Sequence, residues 1–138
     1  MNDSAEVLVD TSAWIDYFRG KEPCRPIVAS LLERDCIFCA GLVLAELIQG
    51  AKGETELEVL RDFPRVFRFL PETTEAWVEA GELSRRLRVK GKTVGLSDCF
   101  LAVLAAKAGA RILTRDHHFR ILAPEAGVSL YTSPRLGP

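Results

Sequence analysis

No apolar run in the chain approaches the ~20 residues that a membrane-spanning helix needs, and the N-terminus, MNDSAEVLVD, is acidic and polar where a signal peptide is basic and then apolar. The expected location is therefore the cytoplasm. An excess of either charge is lacking too: 18 Lys and Arg against 19 Asp and Glu leave −1. Proteins that coat nucleic acid by charge alone are usually basic, so that class is disfavoured. A nuclease is not, because bound cations add positive charge that the count ignores. Cysteine and histidine are sparse, four and two. Cys36-Ile37-Phe38-Cys39 has C-x-x-C spacing, but a tetrahedral zinc site wants a second pair of ligands. Only His117-His118 is available, and adjacency is poor geometry. Cys24, Cys36, Cys39 and Cys99 read instead as small hydrophobes in a reducing compartment. Repeats, low-complexity segments and linkers are absent. The chain reads as a single domain over 1–138, long enough to bury a core, with a Pro- and Gly-rich tail over about 132–138.

What is present is an alternation of short β-like runs with longer helical ones. Strands are expected at 6–10, 36–40, 66–70, 111–114 and 128–131. Helices are expected at 14–18, 25–34, 42–51, 54–63, 74–90, 98–109 and near 117–123. In the long helix 74–90 the Glu residues come early and the Arg and Lys residues late, which complements the helix dipole. Ser97 is a good N-cap for helix 98–109, and Gly109 ends it. Strands separated by helices pair in parallel through right-handed crossovers, and wholly apolar strands lie in a sheet covered on both faces. The expected fold is a three-layer α/β/α sandwich around a mostly parallel five-stranded sheet. Such folds bind ligands beyond the carboxyl ends of their strands, at a topological switch point.

Against that background four acids stand out. Asp10 ends the apolar run Val7-Leu8-Val9, where a buried strand needs no carboxylate. Glu46 interrupts the apolar stretch LVLAELI; buried and unpaired it would cost roughly several kcal/mol, so it must be paired, exposed or bound to a cation. Asp98 opens a helix with apolar Leu101, Leu104, Ala105 and Ala108 on its other face. Asp116 follows the strand RILT. Dipole complementation explains Asp98 alone, and helix capping explains Asp116 alone. All four, however, are expected at one end of one sheet, where they would converge. Like charges that close cannot all ionise without compensation, and Mg²⁺ or Mn²⁺ suits hard carboxylate oxygens. Thr11, Ser12 and Thr114 sit beside these acids, placed to hydrogen-bond them or to form turns.

The series Val9-Asp10-Thr11-Ser12, Ala45-Glu46-Leu47, Ser97-Asp98 and Thr114-Arg115-Asp116-x-x-Phe119 resembles the PIN-domain ribonucleases. More narrowly, it is similar to the VapC-type toxins of toxin–antitoxin pairs, in length, order and spacing over essentially the whole chain. The resemblance implies an endoribonuclease dependent on Mg²⁺ or Mn²⁺, with one or two ions held by Asp10, Glu46, Asp98 and Asp116. It also implies a homodimer and a small antitoxin that docks a C-terminal segment across the site. Some family members carry a further acid shortly after T-R-D; here those positions are His117 and His118. Two-metal hydrolysis of a phosphodiester would use Asp10 as the central ligand, Asp98 and Asp116 beside it, and Glu46 as a ligand or as the group orienting the attacking water.

Secondary features remain open. Arg85, Arg86, Arg88 and Lys92 lie in the acid-free stretch 85–92 and, with Arg115, are candidates for RNA phosphate contacts; for the stretch, a dipole-matched helix end explains them as well. His117 or His118 can assist proton transfer or serve as surface or capping residues. Trp14, Tyr17 and Phe18 read as core or dimer packing rather than base stacking. Rival functions are a phosphatase or phospho-acceptor domain using Asp10 as nucleophile, a binding module without turnover, and a housekeeping RNA-processing nuclease. The first is weakened because Ser12 stands where a haloacid-dehalogenase-type phosphatase needs a second Asp.

Overall fold

The computed structural model describes residues 6–132, so all of the expected tail except Thr132 lies outside the described residues. β1 (Val7–Val9) is fully buried, as an apolar strand covered on both faces must be. α1 (Thr11–Phe18) follows without a loop, because Asp10 is its extended N-cap and accepts the Ala13 N–H. Then come α2 (Cys24–Glu33), β2 (Ile37–Cys39), α3 (Gly41–Gln49), α4 (Glu54–Arg61), α5 (Phe63–Val66) and β3 (Arg68–Phe69). α6 (Thr74–Val89), α7 (Leu96–Ala108), β4 (Arg111–Leu113) and α8 (Phe119–Ala126) complete the chain.

The strands pair in parallel in the order β3-β2-β1-β4. The chain steps outward from β1 to β3, then returns to add β4 on the other side of β1. Right-handed crossovers run in opposite directions along the sheet place α1–α5 on one face and α6–α8 on the other. The helix packing follows: α1 packs on α2 and α3, while α7 packs on α6 and α8. The boundary between β1 and β4 is thus the switch point.

Four differences from the sequence expectation have local causes. The fifth strand is reduced to one parallel bridge between Leu130 and Ile112. Val128 spends its N–H on the Ala123 carbonyl at 3.0 Å, just after Gly127 turns left-handed at φ 73°, so only a stub reaches the sheet edge. The third strand is shorter than 66–70 because Pro64, near the start of α5, favours a helical turn over 63–66. α7 is capped by Gly95 rather than Ser97, which starts the helix two residues earlier and leaves Asp98 in its first turn. Finally, α7 is buried at every residue from Cys99 to Ala105, with Ala108 exposed, so it is a helix covered all round rather than an amphipathic one.

The expected core readings hold. Trp14 is buried, with the rings of Tyr17, Phe18, Phe63 and Phe67 at 5.0–5.8 Å. Phe100 is buried and stacks on Trp77 of α6 at 3.6 Å. All four cysteines are free and buried, and burial pushes the Cys39 thiol up to about 12. No helix among the described residues is long and apolar enough to cross a membrane.

Candidate active site

The switch point gathers its side chains from four segments. Asp10 ends β1 and is only 4% exposed, the one charged residue so buried among the described residues. Its carboxylate is held on both oxygens. Oδ1 accepts the Ala13 N–H at 3.0 Å and the Ser12 hydroxyl at 2.7 Å, and Oδ2 accepts the Thr114 hydroxyl. Those hydroxyls also act as acceptors. Ser12 Oγ receives the Arg115 N–H at 2.9 Å, and Thr114 Oγ1 receives the Asp116 N–H at 2.9 Å. The start of α1 is thereby tied to the loop after β4, and Asp10 and Asp116 are held to one end of the adjacent strands β1 and β4.

Glu46 arrives from α3, in its second turn, and accepts the Thr11 hydroxyl of α1. Asp98 arrives from the first turn of α7. Asp116 caps the turn that follows it: its Oδ1 accepts the His118 N–H at 2.9 Å and lies 2.9 Å from His118 Nδ1. All four acids line one cleft of about 220 Å³, walled by apolar Ile15 and Leu101.

The electrostatics reflect this crowding. Burial raises the pKa of Asp10; the hydrogen bonds from Thr114, Ala13 and Ser12 oppose that rise, and the charge of Asp116 adds to it. Asp98 is pushed up to about 6, first by burial and then by the charges of Asp116, Asp10 and Glu46, with His118 acting the other way. No lysine or arginine lines the cleft among the described residues. Acidic neighbours add to the effect of burial on Asp10 and Asp98, and a nearby positive charge would offset both. The donor set supplies what a divalent cation needs: hard oxygens, and an oxygen each from Asp98 and Asp116 grouped with a His118 nitrogen within 4.8 Å of one another.

Other expected residues fall outside the cleft. Arg115 pairs with Asp16 at 3.5 Å. Arg85, Arg86, Arg88 and Lys92 are exposed and do not line it. Arg86, Lys92 and above all Lys90, at 2.9 Å, act on Glu125 of α8. Sequence reasoning did not single out Ile15 or Leu101, since an apolar residue at helical spacing reads simply as core. It also missed a second cleft, of about 320 Å³, bordered by α1, α3 and α4. That cleft shares Ile15 and Glu46 with the first and adds Phe18, Leu47, Arg19 and Lys52.

This arrangement of acids at a parallel-sheet switch point defines a class before any relative is considered: an α/β domain with an acidic cleft whose donors could hold a divalent cation. Comparison with known proteins narrows the class. The PIN-domain family matches residues 7–124. The chain is 31% identical over 125 residues to VapC ribonuclease Mb1587 of Mycobacterium bovis, covering 85% of this chain and 91% of that protein. It is 32% identical over 125 residues to ribonuclease VapC32 of Mycobacterium tuberculosis, covering 90% and 95%. Among solved structures, the DNA-bound VapBC of Salmonella typhimurium superposes with a TM-score of 0.72 at 23% identity, over 92% of this chain and 97% of that one. The protein belongs to the PIN-domain family, in its VapC ribonuclease group.

Proposed function

We propose that the chain is an endoribonuclease dependent on Mg²⁺ or Mn²⁺, and the toxin of a toxin–antitoxin pair that acts in the cytoplasm. The observation that carries this reading is the meeting of Asp10, Glu46, Asp98 and Asp116 in one cleft, in a chain whose relatives are named ribonucleases. The four acids would hold one or two ions, and the chemistry such an ion would supply is Lewis-acid polarisation of the phosphate and a lowered pKa for attacking water. The chain's own contribution is positional. Ser12 and Thr114 fix both oxygens of Asp10, Thr11 fixes Glu46, and Glu46 either holds an ion or orients the attacking water. Ile15 and Leu101 wall the cleft with apolar surface, lowering the local dielectric and strengthening charge interactions there.

The phosphatase alternative is weakened at Ser12, which stands where a second Asp is needed and spends its hydroxyl on Asp10 Oδ1 at 2.7 Å. For the antitoxin, the second cleft offers an apolar floor of Phe18 and Leu47 with Arg19 and Lys52 beside it. A segment laid there reaches Glu46. A homodimer belongs to this reading and is checked by light scattering on the purified chain.

The deciding experiment is cleavage of a mixed RNA pool with Mg²⁺, Mn²⁺ or chelator. Cleavage that needs the metal and disappears in Asp10→Asn supports the reading; cleavage that survives chelation or Asp10→Asn refutes it. For substrate binding, Arg85, Arg88 and Lys92 are proposed to meet RNA phosphates beside the cleft, with Arg86 and Arg115 supporting them. Reversing Arg85 and Arg88 to Glu is expected to flatten the salt dependence of RNA binding by about 0.7 in logarithmic slope for each phosphate no longer neutralised; an unchanged slope removes these residues from the interface.

A further inference from the structure

We propose that His118 is itself a ligand of the metal ion, making a nitrogen–oxygen site with Asp98 and Asp116 that prefers Mn²⁺ to Mg²⁺. The proposal rests on the metal-dependent reading above and adds a residue to it.

Capping does not account for this histidine. His118 is the N-cap of α8, yet its side chain makes no capping hydrogen bond. The local turn is closed instead by Asp116, whose Oδ1 accepts the His118 backbone N–H at 2.9 Å. The imidazole makes no capping bond and faces acids instead. Its Nδ1 lies 2.9 Å from Asp116 Oδ1, and it acts on the charge of Asp98, which belongs to a different helix. One atom from each of Asp98, Asp116 and His118 falls within 4.8 Å of the others. Ligands on opposite sides of an ion with bonds of about 2.1 Å stand about 4.2 Å apart, so a small rotation closes the set. The side chains of His118 and Asp116 are 45% and 34% exposed, which leaves them room to make it. The His117 ring stacks against that of His118 at 4.5 Å and supports its plane.

The donor set then sets the preference. Mg²⁺ demands near-ideal octahedral oxygen coordination and dehydrates reluctantly, whereas imidazole nitrogen suits the softer first-row transition ions. A site with two carboxylate oxygens and one imidazole therefore discriminates against Mg²⁺. An aspartate at 118 would weaken that preference.

The test is Mn²⁺ titration of the full chain followed by pulsed electron paramagnetic resonance, which reads ¹⁴N coupling to the bound ion. Wild type is expected to show imidazole coupling, and His117→Ala to keep it. His118→Ala is expected to lose the coupling and to bind Mn²⁺ about tenfold more weakly, with a smaller change for Mg²⁺. His118→Asp is expected to regain affinity without the nitrogen signal and to shift preference toward Mg²⁺. Bound Mn²⁺ without ¹⁴N coupling in wild type, or coupling that survives His118→Ala, overturns the assignment and leaves the four-acid site standing. Absence of saturable Mn²⁺ binding by wild type overturns both.

Discussion

At Glu125 of α8 a single carboxylate meets Lys90 at 2.9 Å, with Lys92 and Arg86 adding positive charge, and its pKa is held below the ordinary glutamate value. Across the β1–β4 switch point four carboxylates meet in a cleft that no lysine or arginine among the described residues lines, and Asp98 is pushed up to about 6. Both regions are built from ordinary side chains on the same domain. In the first the charges are satisfied internally and the surface is finished. In the second the fold uses hydroxyls, backbone amides and a strand end to hold like charges together, an arrangement that a cation from outside would complete. The proposed chemistry is assigned to the second region.

The difference can be broken most directly at Asp10. Asp10→Asn removes the central charge while keeping the size of the side chain. RNA cleavage is expected to fall by more than about a hundredfold, beyond what losing a group that merely orients a ligand costs, with the circular dichroism spectrum unchanged. An active, folded variant would make the acid cleft as inert as the Glu125 cluster.

Proton competition gives the next effect. Metal binding requires ionised carboxylates, and the Asp98 carboxyl holds its proton up to about pH 6. Mn²⁺ affinity is expected to weaken by about tenfold per pH unit below that value, read by calorimetry from pH 7.5 to 5. A flat profile would mean that Asp98 takes no part.

A smaller effect falls on stability. The folded pKa of Asp98 lies above its unfolded value, so between 3.8 and about 6 the folded chain holds more protons than the unfolded one. Stability therefore falls as pH rises through that window, and the loss is complete above it. Asp98→Asn is expected to raise the melting temperature of the metal-free protein by about 2–4 °C at pH 7.5, with the gain vanishing toward pH 4. Added Mn²⁺ should stabilise wild type more than the variant. Destabilisation by Asp98→Asn at neutral pH would contradict the picture of a carboxylate whose charge is disfavoured by burial and by its acidic neighbours. The smallest effect belongs to the other region. Glu125→Ala breaks an exposed ion pair, so the melting temperature should stay within about 1 °C; a larger drop would show that the basic cluster carries structural weight.

The order of elements and the four acids were legible in the sequence for one physical reason. Apolar runs mark the strands and helices, and an acid placed against that pattern demands a partner: Asp10 ends such a run and Glu46 interrupts one, while Asp98 and Asp116 stand out only by their place at the same end of the sheet. Val7-Leu8-Val9 followed by Asp10 is the plainest case, and its burial and position are as expected. The capping of α7 by Gly95 was not legible, because Ser97 is the stronger N-cap by side chain while the cap is set by the extended backbone at Gly95. Nor was the loss of the fifth strand, which follows from how Gly127 and Val128 end α8. His118 was hidden for a related reason. Next to His117 it reads as surface, and only the turn closed by Asp116, together with the packing of α7, brings it to Asp98.

The central claim is that the four acids meet in order to hold a divalent cation. Its most direct test is calorimetric titration of the metal-free protein with Mn²⁺ at pH 7.5, beside the Asp10→Asn/Asp98→Asn double variant. Saturable binding by wild type that the double variant loses is the predicted result. Binding that is absent from wild type, or equal in the two proteins, would contradict it.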